Sequence, residues 1–343
     1  MYYCRMQEPT SSVPLSVPAF GPTSSALGPH PVGTFDARHL CNGTSFSSAT
    51  VYHPASGGGS QLPSVVLVGG YACGEQVMAA WAPFYASHGI VAMTIGTCAP
   101  FRDKPPDRSR ALVDASAALQ GEHHRAGSAL EGRLDASRRA VQGYSLGGGA
   151  VQLAALADPT LRCAIAISPH AGVPPSLPDE LTASVPMLFL VGERDREAPS
   201  QAHSWPQYYR TAAPKLIFEV AGGDHFVANG PSGGIKADIA SNGAPCFFCQ
   251  MCCVHCCGGL SPCPCAVLNG PSGHAQEQAA FGPVGGVALA WLKLFLMDDE
   301  GALRQLLHSV RPAIASGFES KGVDLVRLHA GGVVGGNMAM SRT

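Results

Sequence analysis

The chain has 343 residues, of which 46% are hydrophobic and 13% are charged, and its formal net charge is −2 at pH 7. This length allows one large domain or two ordinary ones, and the low charged fraction excludes a highly charged disordered protein. Because nucleic-acid binding requires clustered Lys and Arg, the balanced charge without a basic stripe argues against nucleic acid as a partner.

In chain order, short apolar runs alternate with segments of helical periodicity. The short runs predict strands at residues 48–53, 63–69, 90–95, 138–142, 163–168, 186–191 and 215–220. Helical patterns cover residues 75–88, 109–119, 147–157 and 286–297, with a weaker one at 302–310. Strands that are apolar on both faces and alternate with helices predict an α/β protein with a mostly parallel sheet flanked by helices.

The two ends of the chain are patterned differently from its middle. Residues 1–27 are rich in Ser, Pro and Gly and lack a continuous apolar segment, so we predict a disordered leader without a visible signal peptide. Residues 28–299 carry the strand–helix alternation and are predicted to be the folded domain, followed by a tail of uncertain structure at 300–343. We predict no membrane span, since the most apolar stretch, at 279–297, contains Pro283 and Lys293.

A cysteine-rich segment interrupts the predicted domain. The sequence NGPSG occurs at 229–233 and again at 269–273, and eight of the 13 cysteines lie between these copies. Three interpretations of residues 234–273 are open: an insertion or mistranslated stretch, a local disulfide knot, or a site where thiolates bind a soft metal. The direct repeat favours an insertion, and we therefore assign no metal ligands.

The motif that carries chemistry is Gly143-Tyr144-Ser145-Leu146-Gly147, which fits G-x-S-x-G. It lies between a predicted apolar strand and a predicted helix of small residues, the setting in which this motif forms a sharp turn that exposes a serine. The start of a helix also offers free N–H groups and a favourable dipole to a developing oxyanion. Ser145 is therefore the predicted nucleophile.

A serine hydroxyl needs a base and an orienting acid, which follow this motif in the order Ser, Asp or Glu, His. Asp195 comes just after the predicted strand at 186–191, and His225 comes just after the predicted strand at 215–220. We predict Asp195 as the acid and His225 as the base, with Glu193 as the alternative acid. Asp224 is interpreted as a loop charge, and His170 as a further candidate to line the cleft.

An oxyanion hole requires two backbone N–H donors. One is predicted at Leu146, the residue that follows the nucleophile. The other is predicted at Tyr71, in the loop after the strand at 63–69.

Several stretches, in order, resemble the bacterial cutinase-like polyester hydrolases, the group that contains the PET-degrading enzymes. They include GGYACGEQ, GYSLGGG, VGERDREAP and VAGGDHFVAN. The resemblance implies an α/β-hydrolase fold, in the branch that is dienelactone-hydrolase-like and PAF-acetylhydrolase-like. The spacing of 50 residues between Ser145 and Asp195 leaves no room for a large lid domain. It implies the same five residues in the same roles: Ser145, Asp195, His225, Tyr71 and Leu146.

The chain also differs from the family pattern around the predicted site. Tyr144 replaces the tryptophan that commonly precedes the serine, Leu146 replaces methionine, and His170 replaces a cleft tryptophan. The resemblance places Tyr144 and His170 among the substrate-binding residues. The positions of the family's disulfide near the site hold Gly192 and Val227. These differences weaken the expectation that a bulky aromatic polyester is the substrate.

The sequence thus predicts a serine carboxylester hydrolase that acts through an acyl-enzyme on a small ester, an acyl lipid or a polyester. It is expected to be a monomer and to need no metal or organic cofactor. The alternative is a non-catalytic α/β-hydrolase-like binding protein whose cysteine-rich loop binds a metal or a partner. The resemblance suggests secretion, and Asn42-Gly43-Thr44 forms a glycosylation sequon, but without a visible signal peptide the compartment stays open.

Overall fold

The computed structural model describes residues 22–56, 59–179, 184–212, 214–228, 230–232, 282–308, 315–326, 328–329 and 332–333. Most of the predicted leader and all of the predicted insertion between 234 and 273 lie outside these residues. The three interpretations of the cysteine-rich segment therefore stay predictions.

Within the described residues, nine strands form one sheet. They are β1 (Val32–Asp36), β2 (Phe46–Pro54), β3 (Leu62–Val68), β4 (Val91–Thr97), β5 (Leu134–Tyr144), β6 (Cys163–Ile167), β7 (Met187–Gly192), β8 (Lys215–Val220) and β9 (Ala315–Lys321). Their order across the sheet is β1-β2-β4-β3-β5-β6-β7-β8-β9. The six central strands from β4 to β8 are parallel, while β1, β2 and β9 pair antiparallel at the edges.

Helices cover both faces of the sheet. They are α1 (Trp81–Ser87), α2 (Pro105–Gln120), α3 (Leu146–Ala157), α4 (Ser204–Arg210), α5 (Gly282–Met297) and α6 (Glu300–His308). Side chains of α1, α5 and α6 form the core on one face, and those of α2, α3 and α4 form the core on the other. Along β3, Val65 and Leu67 point to the first core and Val66 and Val68 to the second, so the strand is buried on both faces as its apolar run predicts. This is the mostly parallel, helix-flanked sheet of an α/β-hydrolase fold.

The predicted helix at 75–88 is two elements in the structure. A 3₁₀ turn at Glu75–Met78 precedes α1, which begins only at Trp81. The physical reason is Pro83, whose ring would clash with the carbonyl of Ala79 in a continuous helix.

Part of the region predicted as a tail belongs to the sheet. Helix α6 follows α5 directly, and β9 then pairs antiparallel with β8, where the Phe218 and Phe318 rings meet edge to face at 5.7 Å. The folded unit thus extends past residue 299. The run ASGFESK of β9 contains one large apolar residue, which is why its sequence gives little sign of a strand.

Candidate active site

Ser145 lies at the turn between β5 and α3 with φ +57° and ψ −117°. A non-glycine residue rarely has a positive φ, so the surrounding backbone must hold it there. The N–H of Ser145 donates to the carbonyl of Ile167 at 2.9 Å, and its own carbonyl accepts the N–H of His170 at 2.9 Å. The serine is therefore fixed by the adjacent strand β6 and the loop that follows it.

The glycines of the motif allow backbone segments to pack closely around this turn. A Cβ on Gly143 would lie 2.1 Å from the Gly147 carbonyl oxygen, and one on Gly147 would lie 2.6 Å from that of Gly69. In the loop after β3, a Cβ on Gly70 would lie 2.6 Å from the Cβ of Ser145. Since no side chain fits at these distances, the serine turn itself requires glycine at 143, and the approach of the β3 loop to this turn requires glycine at 70 and 147.

Ser145, His225 and Asp195 form a continuous chain of hydrogen bonds. The Ser145 hydroxyl lies 3.0 Å from His225 Nε2, and His225 Nδ1 lies 2.7 Å from Asp195 Oδ2. The other carboxylate oxygen, Asp195 Oδ1, accepts the backbone N–H groups of Glu197 and Ala198 at 2.9 and 2.7 Å. Asp195 is thus oriented from one side by the loop after β7, and it fixes the imidazole on the other.

The environment of His225 stabilises its protonated form. Burial lowers the pKa of this fully enclosed imidazole, but the hydrogen bond from its ring to Asp195 and the negative charges of Asp195, Glu197 and Asp224 raise it by more. The net effect is a pKa above the ordinary histidine value. A proton taken by His225 is therefore held more strongly than by a histidine in water.

The carboxylates of Glu193, the alternative acid, and of Asp224 make different contacts. Glu193 Oε2 accepts the N–H of Gly222 at 2.7 Å, and Asp224 Oδ1 accepts the N–H of Phe226 at 2.9 Å. The carboxylate that is hydrogen-bonded to His225 is that of Asp195, so the geometry favours Asp195 over Glu193 as the orienting acid.

Ser145 opens into a cleft of about 410 Å³. The cleft is lined by Tyr71, Phe101, Arg102, Asp103, Lys104, Ser145, Leu146, His170, Gly172, Val173 and Glu197. The rings of Tyr71 and Phe101 meet edge to face at 6.0 Å and are each about half exposed, and Val173 is 77% exposed. The predicted residues Tyr71, Leu146 and His170 therefore share one open, partly apolar cleft with Ser145.

His170 forms a pair with a histidine that the sequence did not point to. Its ring stacks on that of His203 with centroids 4.6 Å apart, and its Nδ1 accepts the N–H of Gly172 at 2.9 Å. Burial, together with the nearby His203 and His225, lowers the pKa of His170 to about 4, and burial lowers that of His203. At neutral pH the pair is uncharged, so His170 presents a neutral ring to the cleft.

Tyr144 takes a different place from the other predicted substrate-binding residues. It is buried, and its ring lies 5.0 Å from that of His225 and 6.4 Å from that of Phe226. As the last residue of β5, it points to the core under the imidazole while Ser145 beyond it faces the cleft. The side chain of Tyr144 therefore supports His225 from below.

Arg108 is a buried cation that was not among the predicted site residues. Its guanidinium donates to three carbonyl oxygens, those of Gly69 at 3.0 Å, Pro100 at 2.9 Å and Asp103 at 3.2 Å. The Pro100 carbonyl also accepts the N–H of Ala72 at 2.8 Å. Arg108 thus ties the loop after β3 to the loop after β4. The sequence does indicate this burial, because the helical spacing places Arg108 on the apolar face of α2. The other buried residues of that face include Ala111, Leu112, Ala115 and Leu119.

Two further findings concern only the part of the chain that the structure describes. It contains no group of three or more His, Cys, Asp or Glu side chains arranged to hold a metal ion. It also contains no helix with the length and apolar character needed to cross a bilayer.

Comparison with known proteins places the chain in a family. A family model of PET hydrolase-like proteins matches residues 16–241. The bis(hydroxyethyl) terephthalate hydrolase of Streptomyces coelicolor is 31% identical over 214 residues, which cover 61% of this chain and 66% of that protein. A cutinase of Thermobifida fusca is 30% identical over 237 residues (65% and 75%), and cutinase 2 of Thermobifida cellulosilytica is 35% identical over 191 residues (54% and 68%). With its parallel sheet and the serine turn after β5, the chain belongs to the PET hydrolase-like family of carboxylic ester hydrolases.

Proposed function

We propose that the protein is a serine hydrolase of carboxylic esters that works through an acyl-enzyme. Ser145 is the nucleophile, His225 the general base and Asp195 the acid that orients it. The observation that carries this proposal is the hydrogen-bonded chain from Ser145 through His225 to Asp195, on a turn where Ser145 has a positive φ.

The reaction follows from the atoms that face one another. His225 Nε2 takes the hydroxyl proton while Ser145 Oγ attacks the ester carbonyl carbon, which gives a tetrahedral intermediate. His225 then gives this proton to the departing alcohol oxygen as the carbon–oxygen bond breaks, and the acyl group stays on Ser145. A water molecule attacks the acyl-enzyme with His225 again as base, and Ser145 regains its proton as the carboxylic acid leaves.

The negative oxygen of each tetrahedral intermediate is stabilised by the N–H groups of Leu146 and Tyr71. Leu146 is the first residue of α3, where backbone N–H groups have no partner within the helix and the dipole favours an anion. Tyr71 is in the loop that approaches Ser145 through Gly70. The orientation of this loop therefore governs the second donor.

The substrates we propose are esters with extended chains, including cutin-like polyesters. Tyr71, Phe101 and Val173 present exposed apolar surface along a cleft that is open to solvent. Such a surface suits a long chain that lies across the site better than a small enclosed ester. The name of the Thermobifida fusca relative, cutinase, agrees with this substrate class.

Covalent labelling tests the proposed nucleophile. We expect one molecule of a fluorophosphonate probe to attach to each protein molecule, on the peptide that contains Ser145. The reason is that only an activated serine displaces fluoride quickly. The measurement is intact-protein mass followed by peptide mapping. A Ser137→Ala variant is the matched control, since Ser137 is exposed on β5 and bonds only to Asp135 among the contacts described. Modification of another residue, or no reaction, would contradict the proposal.

Replacement of Arg108 tests the role of the β3 loop. Arg108→Met removes the donors to the carbonyls of Gly69 and Pro100, so the loop that presents the Tyr71 N–H loses its fixed orientation. We expect kcat to fall by about tenfold or more with KM nearly unchanged, because an oxyanion donor acts mainly in the transition state. The variant is also expected to lose about 1–3 kcal/mol of stability, since buried carbonyls lose their partners.

The control for Arg108 is Arg110→Met on the same helix, where the side chain is 64% exposed and pairs with Asp107. It should leave kcat, KM and the melting temperature nearly as in the wild type. Equal losses in the two variants, or a rise in KM without a fall in kcat for Arg108→Met, would refute this positioning role.

A further inference from the structure

A second carboxylate lies beside the reacting nitrogen of the site. Glu197 Oε2 is 3.6 Å from His225 Nε2, the nitrogen that faces the Ser145 hydroxyl, whereas Asp195 contacts Nδ1 on the opposite edge of the ring. The side chain of Glu197 lines the cleft and is 41% exposed. Its backbone N–H donates to Asp195 Oδ1, so the position of Glu197 is coupled to that of the triad.

The position of Nε2 fixes which part of a substrate meets Glu197. In the proposed reaction His225 Nε2 delivers its proton to the departing alcohol oxygen, so this oxygen must come within hydrogen-bond distance of Nε2. A carboxylate 3.6 Å from the same nitrogen therefore faces the alcohol portion of the ester, not the acyl portion.

The other charges around the cleft leave this role to Glu197. Lys104 Nζ donates to the Val173 carbonyl at 2.6 Å, and Asp103 Oδ2 accepts the N–H of Ala99 at 2.8 Å, while Arg102 is an exposed residue of the same loop. His170 and His203, which interact electrostatically with His225, are neutral rings at neutral pH. Asp224 is turned to the N–H of Phe226. Among the described residues of the cleft, Glu197 is the charge in contact with Nε2.

We propose that Glu197 selects substrates by the charge of their alcohol portion, and that it stabilises the imidazolium of His225 through Nε2. This inference rests on the proposed serine esterase function. Esters of diols, whose free hydroxyl can donate to the carboxylate, and esters of amino alcohols are favoured. Esters whose alcohol carries a carboxylate or a sulfonate are disfavoured by like-charge repulsion.

A set of matched esters tests the selection. The substrates share one acyl group and differ in the alcohol, which is choline, its neutral isostere 3,3-dimethylbutanol, or 3-hydroxypropanesulfonate. We expect the wild type to have its highest kcat/KM on the choline ester and its lowest on the sulfonate ester. In Glu197→Gln, which keeps the shape and removes the charge, the ratio of these two values should fall by about tenfold at low ionic strength.

The proton on His225 gives a second, independent measurement. The negative charge of Glu197 contributes to the raised pKa of His225, so its removal should lower that pKa. Since the reaction needs neutral His225, the acidic limb of kcat/KM should move to lower pH in Glu197→Gln. A histidine titration by NMR should show the same shift, and it does not require that any ester be turned over.

Glu300→Gln is the control, because it makes the same change of net charge at an exposed position on α6. It should change neither the substrate ratio nor the titration of His225. An unchanged ratio or an unchanged His225 titration in Glu197→Gln would overturn this inference, even if all the esters are hydrolysed. Failure of the wild type to hydrolyse any of them would instead refute the proposed esterase function, and the NMR titration would still decide whether Glu197 acts on Nε2.

Discussion

Ser145→Ala should lower kcat for ester hydrolysis by at least about 10⁴-fold, because among the described residues the Ser145 hydroxyl is the one that contacts His225 Nε2. The change removes Oγ and keeps Cβ, so the close contact of Gly70 with the serine Cβ is retained. Alanine and serine have the same backbone constraint at φ +57°, and the backbone bonds to Ile167 and His170 do not involve the side chain. The fold and the melting temperature should therefore be preserved.

The measurement is kcat and KM on p-nitrophenyl esters of increasing chain length, with thermal unfolding of the same preparations. Ser137→Ala, the exposed serine of β5, should match the wild type in both. Activity of Ser145→Ala within tenfold of the wild type would show that Ser145 is not the nucleophile. Loss of folding would contradict the expectation that the turn is held by backbone bonds alone, and the labelling of Ser145 would then decide the nucleophile.

The core of the fold could be predicted because its strands are buried on both faces. Short, mostly apolar runs form the strands β3, β6, β7 and β8. Such runs between helices are typical of a parallel sheet, which helices cover on both faces. That Ser145, Asp195 and His225 lie close together could be predicted for a related reason. Parallel strands end on the same edge of the sheet, so residues that follow β5, β7 and β8 are brought together there.

What could not be predicted depends on contacts between distant segments. β1 and β9 are edge strands with mixed composition, and their pairing with β2 and β8 determines their conformation. His203 meets His170 only because the loop before α4 folds back on the loop after β6. Glu197 has no sequence feature that separates it from other loop charges, and its approach to Nε2 of His225 depends on how the loops after β7 and β8 meet.

The loops that line the cleft are linked to one another by hydrogen bonds that mostly involve backbone atoms. The β3 loop is bonded to Arg108 and to the β4 loop, the β6 loop to Ser145, and the β7 loop to Asp195. Lys104 joins the β4 and β6 loops through the Val173 carbonyl. Most of these contacts use backbone atoms, so the side chains on these loops can vary while the geometry of Ser145 and His225 is kept.

Asp195→Asn should reduce kcat by about 10³- to 10⁴-fold through the tautomer of His225. Asp195 Oδ1 accepts two backbone N–H groups, from Glu197 and Ala198, so an asparagine must keep its carbonyl oxygen at that position. Its NH₂ group would then face His225 Nδ1 and donate to it. The ring proton would be placed on Nε2, which could no longer accept the proton of Ser145.

The same two backbone bonds are kept in Asp195→Asn, so its melting temperature should fall only slightly while its activity falls by orders of magnitude. Glu193→Gln is the matched control, since a glutamine oxygen can still accept the N–H of Gly222 at the position of Glu193 Oε2. We expect this control to retain nearly full kcat. Asp195 is assigned as the acid because its carboxylate lies 2.7 Å from His225 Nδ1. A larger loss of kcat in Glu193→Gln than in Asp195→Asn would contradict this assignment and identify Glu193 as the acid.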